Sequence, residues 1–281
     1  MAVFSNQATL TYTGGTLNSN VAFGEILDVL TVSKTAVDTA YAPNDLLTYV
    51  VTIRNTGTTP ITAVQLTDDL GGYVIGGNTV YPLTPIVTSV KVFADGVLQT
   101  TPTVNAGSPL IVSGISVPAG GDVVVVYQAE VNTYANTGAD GSILNTATVT
   151  GGGLTAPISA TATVNAQTAS VLTITKSISP SQVVDNDRVT YTFVIQNSGN
   201  SPVAVADATV LTDTFDPILT ALTVTLDGAP FTAYTYEETT GVFATTAGSI
   251  TVPAATVTQD PVTGVYTHTD GTTTLTVTGT I

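Results

Sequence analysis

Cysteine is absent from this 281-residue chain, so neither disulfides nor thiolate metal sites are available to it. Charge is scarce as well: Asp, Glu, Lys and Arg make up 9% of the residues, with 20 acids against five bases and a net charge of -15. So few bases exclude nucleic-acid binding, which needs a basic patch for the phosphates, and attraction to an anionic membrane surface. No run of about 18 apolar residues occurs, which excludes a transmembrane helix and membrane insertion by one. Residues 1–5 carry neither a basic n-region nor an apolar h-region, so the expectation is a signal peptide that is absent or already removed. Segments of helical period are missing, and the helix formers Lys, Glu and Arg are nearly so. His268, the single histidine, lies in a Thr/Gly-rich stretch and reads as a surface loop residue. There is no phosphate loop, nucleophile elbow or metal motif. The expectation is a protein that is not an enzyme and uses no cofactor and no metal.

What is present is Thr, Val, Ala and Gly in segments of five to nine residues that alternate at period two, punctuated by Gly, Pro and Asn. That pattern predicts antiparallel β-sandwiches. The segments recur. Leu30-Thr31-Val32-Ser33-Lys34 matches Leu172-Thr173-Ile174-Thr175-Lys176, and Leu47 to Ile53 matches Val189 to Ile195. The turns Asn55-Thr56-Gly57 and Asn197-Ser198-Gly199 follow, then Pro60 and Pro202, then Leu66-Thr67-Asp68 and Leu211-Thr212-Asp213. Lys34 and Lys176, Tyr49 and Tyr191, and Asn55 and Asn197 are each 142 positions apart. Asp185-Asn186-Asp187 and Asn44-Asp45 are acidic turns at the same spacing; they have too few oxygen ligands for a calcium loop and read as turn chemistry. Adjacent Asp68 and Asp69 face opposite sides of a strand and so do not form a hydrolytic pair.

The two chain ends complement each other. Ile143-Leu144-Asn145-Thr146-Ala147-Thr148-Val149 closes the first repeat, and Phe4-Ser5-Asn6-Gln7-Ala8-Thr9-Leu10 has the same pattern. The second repeat reaches no such strand before Ile281. Counting on from Asn145 through residue 281 to Asn6 of a following copy again gives 142 positions, so the register runs across the subunit boundary. The predicted architecture is all-β: two tandem immunoglobulin-like antiparallel sandwiches, the second lacking its last strand. Residues 1–24 form an N-terminal donor strand and connector, 25–150 the first repeat, 151–169 a linker hairpin and 170–281 the second repeat. A hairpin is also expected around Gly14-Gly15.

Alternation sorts the side chains by face. Leu30, Val32 and Lys34 share one face, as do Leu172, Ile174 and Lys176. Asn145 shares a face with Ile143, Ala147 and Val149, and Asn6 with Phe4, Ala8 and Leu10. Asp68 points with Leu66, and Asp213 with Leu211. Each repeat thus directs a Lys, an Asp and an Asn onto apolar, inward faces, where each is expensive to bury alone. Two of only three lysines occupy this position.

The order of Lys34, "LTYVVTIRNTG", "LTDDL", "VPAGG", "YQAEV" and "LNTATV" resembles the conserved repeat domain of bacterial surface proteins (domain of unknown function eleven). It is also similar to the isopeptide-forming domains of Gram-positive pilins. The resemblance implies an immunoglobulin-like fold at a bacterial surface and offers chemistry for the trio. A neutral lysine amine attacks the Asn side-chain carbonyl, a protonated Asp polarises that carbonyl, and ammonia leaves. The candidates are Lys34, Asp68 and Asn145 within a chain, and Lys176 and Asp213 with Asn6 between chains. An unreacted hydrogen-bonded network is the other arrangement that satisfies these groups.

These features predict a structural subunit of an extracellular fibre on a bacterial cell or spore, an open homopolymer whose partners are copies of itself. The strand-exchange residues are Phe4, Asn6, Ala8, Leu10 and Tyr12, within a donor of residues 2–12. The alternatives are an N-terminal strand that folds back onto its own second repeat, and an adhesin or stalk module that presents the longer loops of repeat two to a ligand.

Overall fold

The computed structural model describes residues 2–26, 28–100, 102–105 and 107–281, and for Ala2, Val3, Glu25 and Ile26 the backbone alone. Apart from one 3-10 turn at Val205–Asp207, every regular element among the described residues is a strand, and the pairings are antiparallel. The chain divides into two compact units, residues 1–135 with 142–165, and residues 136–141 with 166–281.

The first unit begins with four short strands, β1 (Ala2–Asn6), β2 (Thr9–Tyr12), β3 (Gly15–Asn18) and β4 (Ala22–Ile26). They form one long hairpin, in which Tyr12 pairs with Gly15, Leu10 with Leu17, Asn6 with Ala22 and Phe4 with Gly24. A sandwich follows, built from β5 (Leu30–Ala36), β6 (Ala40–Tyr41), β7 (Leu46–Asn55), β8 (Ile61–Asp68), β9 (Tyr73–Ile75), β10 (Asn78–Val80), β11 (Leu83–Ala94), β12 (Val97–Leu98), β13 (Thr103–Val104), β14 (Leu110–Val117), β15 (Asp122–Val131), β16 (Ser142–Gly151) and β17 (Ile158–Ala166). One sheet has the order β12-β11-β15-β7-β5 and the other β13-β14-β8-β16-β17-β6, while β9 and β10 pair as a side ribbon. Period two decides the core. Along β7, Leu47, Tyr49, Val51 and Ile53 are buried, and along β15, Val123, Val125, Tyr127, Ala129 and Val131. Their partners on the facing sheet include Leu66, Val112, Ala147 and Val149.

The second unit comprises β18 (Leu172–Ser179), β19 (Arg188–Asn197), β20 (Thr212–Thr214), β21 (Thr220–Leu226), β22 (Ala229–Pro230), β23 (Tyr234–Glu237), β24 (Val242–Thr245), β25 (Thr256–Gln259), β26 (Tyr266–Thr269) and β27 (Gly271–Thr280). Its main sheet, β18-β19-β27-β21-β22, repeats the β5-β7-β15-β11-β12 sheet of the first unit. Phe193, Phe215, Leu219, Phe243, Leu275 and Val277 pack its core. The facing sheet is fragmentary among the described residues. The bridge Val203↔Val252 matches the Ile61↔Val117 pair of β8 and β14, and β20, with Asp213 at its centre, pairs only with β24. Among the described residues, no strand of this unit lies where β16 and β17 lie in the first.

A buried asparagine staples each sandwich. Asn55 donates through Nδ2 to the carbonyls of Thr59 (2.8 Å) and Pro118 (3.0 Å), and its Oδ1 accepts from Gly57 N (2.8 Å). Asn197 repeats the set with Ser201 (2.7 Å), Pro253 (3.1 Å) and Gly199 (3.0 Å). The acidic turns also repeat. Asn44 and Asn186 adopt positive φ (66° and 72°), and the carboxylates of Asp45 and Asp187 accept from Ala42 N and Val184 N. Those oxygens act as backbone caps. Replacing Asn55 by Ala leaves several partly buried backbone groups without these partners, and should lower unfolding stability by about 1–3 kcal/mol in a denaturant titration. Asn197→Ala should behave alike in the second unit.

Candidate functional site

In the first unit the alternating strands bring Lys34, Asp68 and Tyr49 together with Tyr127 and Asn145 between the sheets. Lys34 Nζ donates to Asp68 Oδ2 at 2.5 Å, and both side chains are 0% exposed. The ammonium lies 4.8 Å from the Tyr49 ring centroid and 6.0 Å from that of Tyr127, two rings opposed across β7 and β15 and stacked at 5.5 Å. Burial pulls the Lys34 amine below its ordinary value of 10.5, against the opposing pull of the Asp68 carboxylate. Burial likewise pushes the Tyr49 and Tyr127 hydroxyls up, so both stay protonated.

Asn145 enters this site from β16, whose Ala147 pairs with Asp68. Its Nδ2 donates to the Tyr127 hydroxyl at 3.1 Å, while its Oδ1 and the Tyr49 hydroxyl are buried without a hydrogen-bond partner. An orphaned buried carbonyl costs about 1–3 kcal/mol. It is also the atom that an acid proton would satisfy. An amine held below its usual pKa, a carboxyl beside it and a carboxamide with an open carbonyl are the components of amide transfer. Asp69, the neighbouring acid, stands outside this group. Its Oδ1 accepts from Gly71 N (2.9 Å) and Thr146 N (2.7 Å), clamping β16 to the end of β8.

In the second unit Lys176 Nζ donates to Asp213 Oδ2 and lies 4.7 Å from the Tyr191 ring centroid, 5.4 Å from Phe193 and 5.5 Å from Phe215. Here the pair is open to water, with side-chain exposures of 41% and 18%. Leu172 and Ile174, on the face predicted to point inward, are exposed too. The reason is structural: in the first unit β16 lies against β5, and among the described residues nothing in the second takes that place over β18. A further difference is Val277, which stands opposite Tyr191 where Tyr127 stands opposite Tyr49. The second site therefore lacks the hydroxyl that holds the carboxamide nitrogen in the first. The sequence motif "YQAEV" contains Tyr127, but its role emerges only once the strand register is known.

Phe4, Asn6, Ala8, Leu10 and Tyr12 are all exposed on the N-terminal hairpin, with Phe4 at 57% and Leu10 at 64%. Their counterparts on β16, Ile143, Asn145, Ala147 and Val149, are buried. His268 is exposed on β26 and is tied by its Nε2 to Thr137 Oγ1 at 2.8 Å, a link that anchors residues 136–141 within the second unit.

No family model matches the chain, and no curated protein matches it. Among solved structures it is similar to the major pilin subunit BcpA of Bacillus cereus, at 11% identity over 95% of this chain and 73% of that one, with a TM-score of 0.39. It is similar to the pilus backbone RrgB of Streptococcus pneumoniae, at 12% identity over 86% of this chain and 49% of that one (TM-score 0.34). It is also similar to ACE19, the collagen-binding subdomain of the Enterococcus faecalis surface protein ACE, at 9% identity over 50% of this chain and 99% of that one (TM-score 0.32). The chain thus spans about half the length of the pneumococcal pilus backbone. These structural neighbours are bacterial pilin and adhesin domains.

The state of Lys34 has a consequence in pH. Lys34 is titratable with a folded value below its ordinary 10.5. Between those two values the unfolded chain binds more protons than the folded one, so stability should rise with pH on the approach to 10.5. Introducing Lys34→Met with Asp68→Leu should abolish that rise, as read from denaturation midpoints at a series of pH values.

Proposed function

We propose that this chain is a structural subunit of a self-assembling fibre on a bacterial surface, polymerising head to tail by strand exchange. Residues 2–12 of one copy enter the second unit of the next and take the place that β16 holds in the first unit. The observation that carries this reading is the contrast between two equivalent ion pairs, Lys34–Asp68 fully buried beneath β16 and Lys176–Asp213 open to solvent. A half-covered sandwich with an unpaired strand edge is an association hazard unless a partner strand is meant for it, and β-augmentation satisfies both backbone and pockets. Burying Phe4, Ala8, Leu10 and Tyr12 removes on the order of 300 Å² of apolar surface, roughly 7 kcal/mol before the cost of ordering is subtracted. The contact uses two different surfaces of the subunit, so it propagates as an open filament.

The same seating brings Asn6 to the position of Asn145. Lys176 Nζ, as a neutral amine, then attacks the Asn6 side-chain carbonyl carbon. A new C–N bond forms, the bond to the carboxamide nitrogen breaks, and ammonia leaves with the proton given up by the amine, Asp213 relaying it. The matching reaction of Lys34 with Asn145 crosslinks the first unit. Water leaves the second site only when a donor strand covers it, so the intersubunit bond follows docking.

Deleting residues 1–12 should leave a monomer by sedimentation, with no filaments by electron microscopy. A deletion variant that still polymerised would sink strand exchange, and a wild type that is itself monomeric would favour the adhesin alternative. Boiled wild-type fibres should run as a ladder on a denaturing gel and lose one ammonia per bond by mass. Asn6→Ala should collapse the ladder to single subunits; monomers from boiled wild type would leave the fibre non-covalent.

A further inference from the structure

The donor of the proposed fibre has a second strand. We infer that the element handed to the next copy is the entire N-terminal hairpin, residues 2–26, with its first strand seated as β16 and its second as β17. This deepens the fibre reading and rests on it.

Three observations carry the inference. The hairpin is already assembled and stapled before any partner arrives. Its strands pair in register on both sides of a one-residue offset, and at that offset Ser19 N donates to Ala8 O (2.8 Å) while Ala8 N donates to Ser19 Oγ (2.9 Å). Gln7 Nε2 adds a bond to Ser19 O at 2.7 Å. The ring of Phe4 lies across Gly24, so closely that a Cβ at Gly24 would stand 2.3 Å from Phe4 Cζ. A lone strand 2–12 would have to break these contacts before docking. A hairpin docks with its ordering cost already met, which favours association.

On either side of its one-residue offset, which the continuous β16–β17 register does not have, the hairpin also matches pairs of β16 and β17. Asn145 faces Ala162 across that pair, and Asn6 faces Ala22. Val149 faces Ile158, and Leu10 faces Leu17, both leucines being exposed on the free hairpin. Where Ile143 faces Val164, Phe4 faces Gly24, one large ring filling the space of two medium side chains.

The socket, finally, has a seat for the second strand. In the first unit β17 lies between β16 and β6, and Tyr41 of β6 is 1% exposed. The turn after β6 is held to β15 by Asn44 N to Val131 O (3.1 Å) and Val131 N to Asp45 O (2.9 Å). The second unit repeats this turn, with Asn186 N to Ile281 O (2.9 Å) and Ile281 N to Asp187 O (3.0 Å). The segment before it, Gln182-Val183-Val184, is therefore fixed where β6 would be, yet it forms no strand and Val183 is 36% exposed. A single donated strand would occupy the β16 place and leave this edge unpaired. Only a hairpin reaches it.

The test uses the full chain. Amide hydrogen exchange is compared between monomer and fibre, and synthetic peptides 2–12 and 2–26 are added as chain terminators during assembly. Exchange at residues 182–184 should slow in the fibre together with that at 209–214, and peptide 2–26 should halt elongation at roughly tenfold lower concentration than peptide 2–12. Fibres in which 209–214 is protected while 182–184 exchanges as fast as in the monomer, with the two peptides equally potent, would overturn the hairpin and keep the single strand. Protection of 182–184 already present in dilute monomer would mean that the chain's own hairpin fills the groove, overturning the second copy as occupant. If no fibres form, the fibre reading fails and this inference fails with it.

Discussion

One buried ion pair sets the terms for the rest of the molecule. Removing a lysine and an aspartate from water costs several kcal/mol per ion, and their mutual attraction repays this only when the geometry is good and the remaining polar atoms are satisfied. In the first unit Lys34 and Asp68 meet the geometric half of that condition under a stacked pair of tyrosines, with β16 closing over them, while the Asn145 carbonyl and the Tyr49 hydroxyl beside them stay unpartnered. In the second unit the same pair, on the same two strand positions, stays partly in water, since among the described residues no strand covers it. The exposure of the lysine is therefore a direct reading of whether its sandwich is complete.

With no cysteine and few charges, the chain draws its order from strand ladders and from a small set of repeated polar staples. Asn55 and Asn197 each tie the end of a central strand to the loop carrying Val-Pro-Ala, and Asp45 and Asp187 cap equivalent turns. Uncharged, Thr- and Val-rich strands are the kind that pair promiscuously at their edges. The N-terminal hairpin pairs its two strands with each other, which leaves one edge fewer to pair wrongly, and the excess of acids keeps chains apart by repulsion. In the proposed fibre, association is thereby confined to a surface with the right register.

The sandwich fold and the convergence of Lys34, Asp68 and Asn145 were legible because a β-strand has a strict period of two: once a segment is a strand, its apolar residues reveal which polar ones share their face. The same rule assigned Leu172, Ile174 and Lys176 inward, and here burial did not follow. Period fixes a face, whereas burial needs a second layer over that face, and the layer belongs to a different stretch of chain. Tyr127 was hidden for a related reason. Its contribution depends on standing opposite Tyr49 and beside Asn145, two long-range pairings that no local pattern encodes. The link from His268 to Thr137 is equally non-local, since it joins residues 131 positions apart.

The two sites are not chemically equal, and the difference orders events in the proposed fibre. In the first unit Tyr127 holds the Asn145 carboxamide and the ammonium of Lys34 lies over the Tyr49 ring, so the candidate groups are positioned by the fold of a single chain. In the second unit Val277 offers no hydroxyl, and the aromatic wall around Lys176 is Tyr191, Phe193 and Phe215. A carboxamide arriving there finds no counterpart of the Tyr127 hydroxyl and depends more on the strand ladder to hold it. Orientation supplied by a ladder exists only when the incoming element is fully paired, because a partial docking leaves the side chain free to turn. Covalent closure at the boundary thus depends on correct register, and a misregistered donor, which presents a different residue to Lys176, is left free to dissociate.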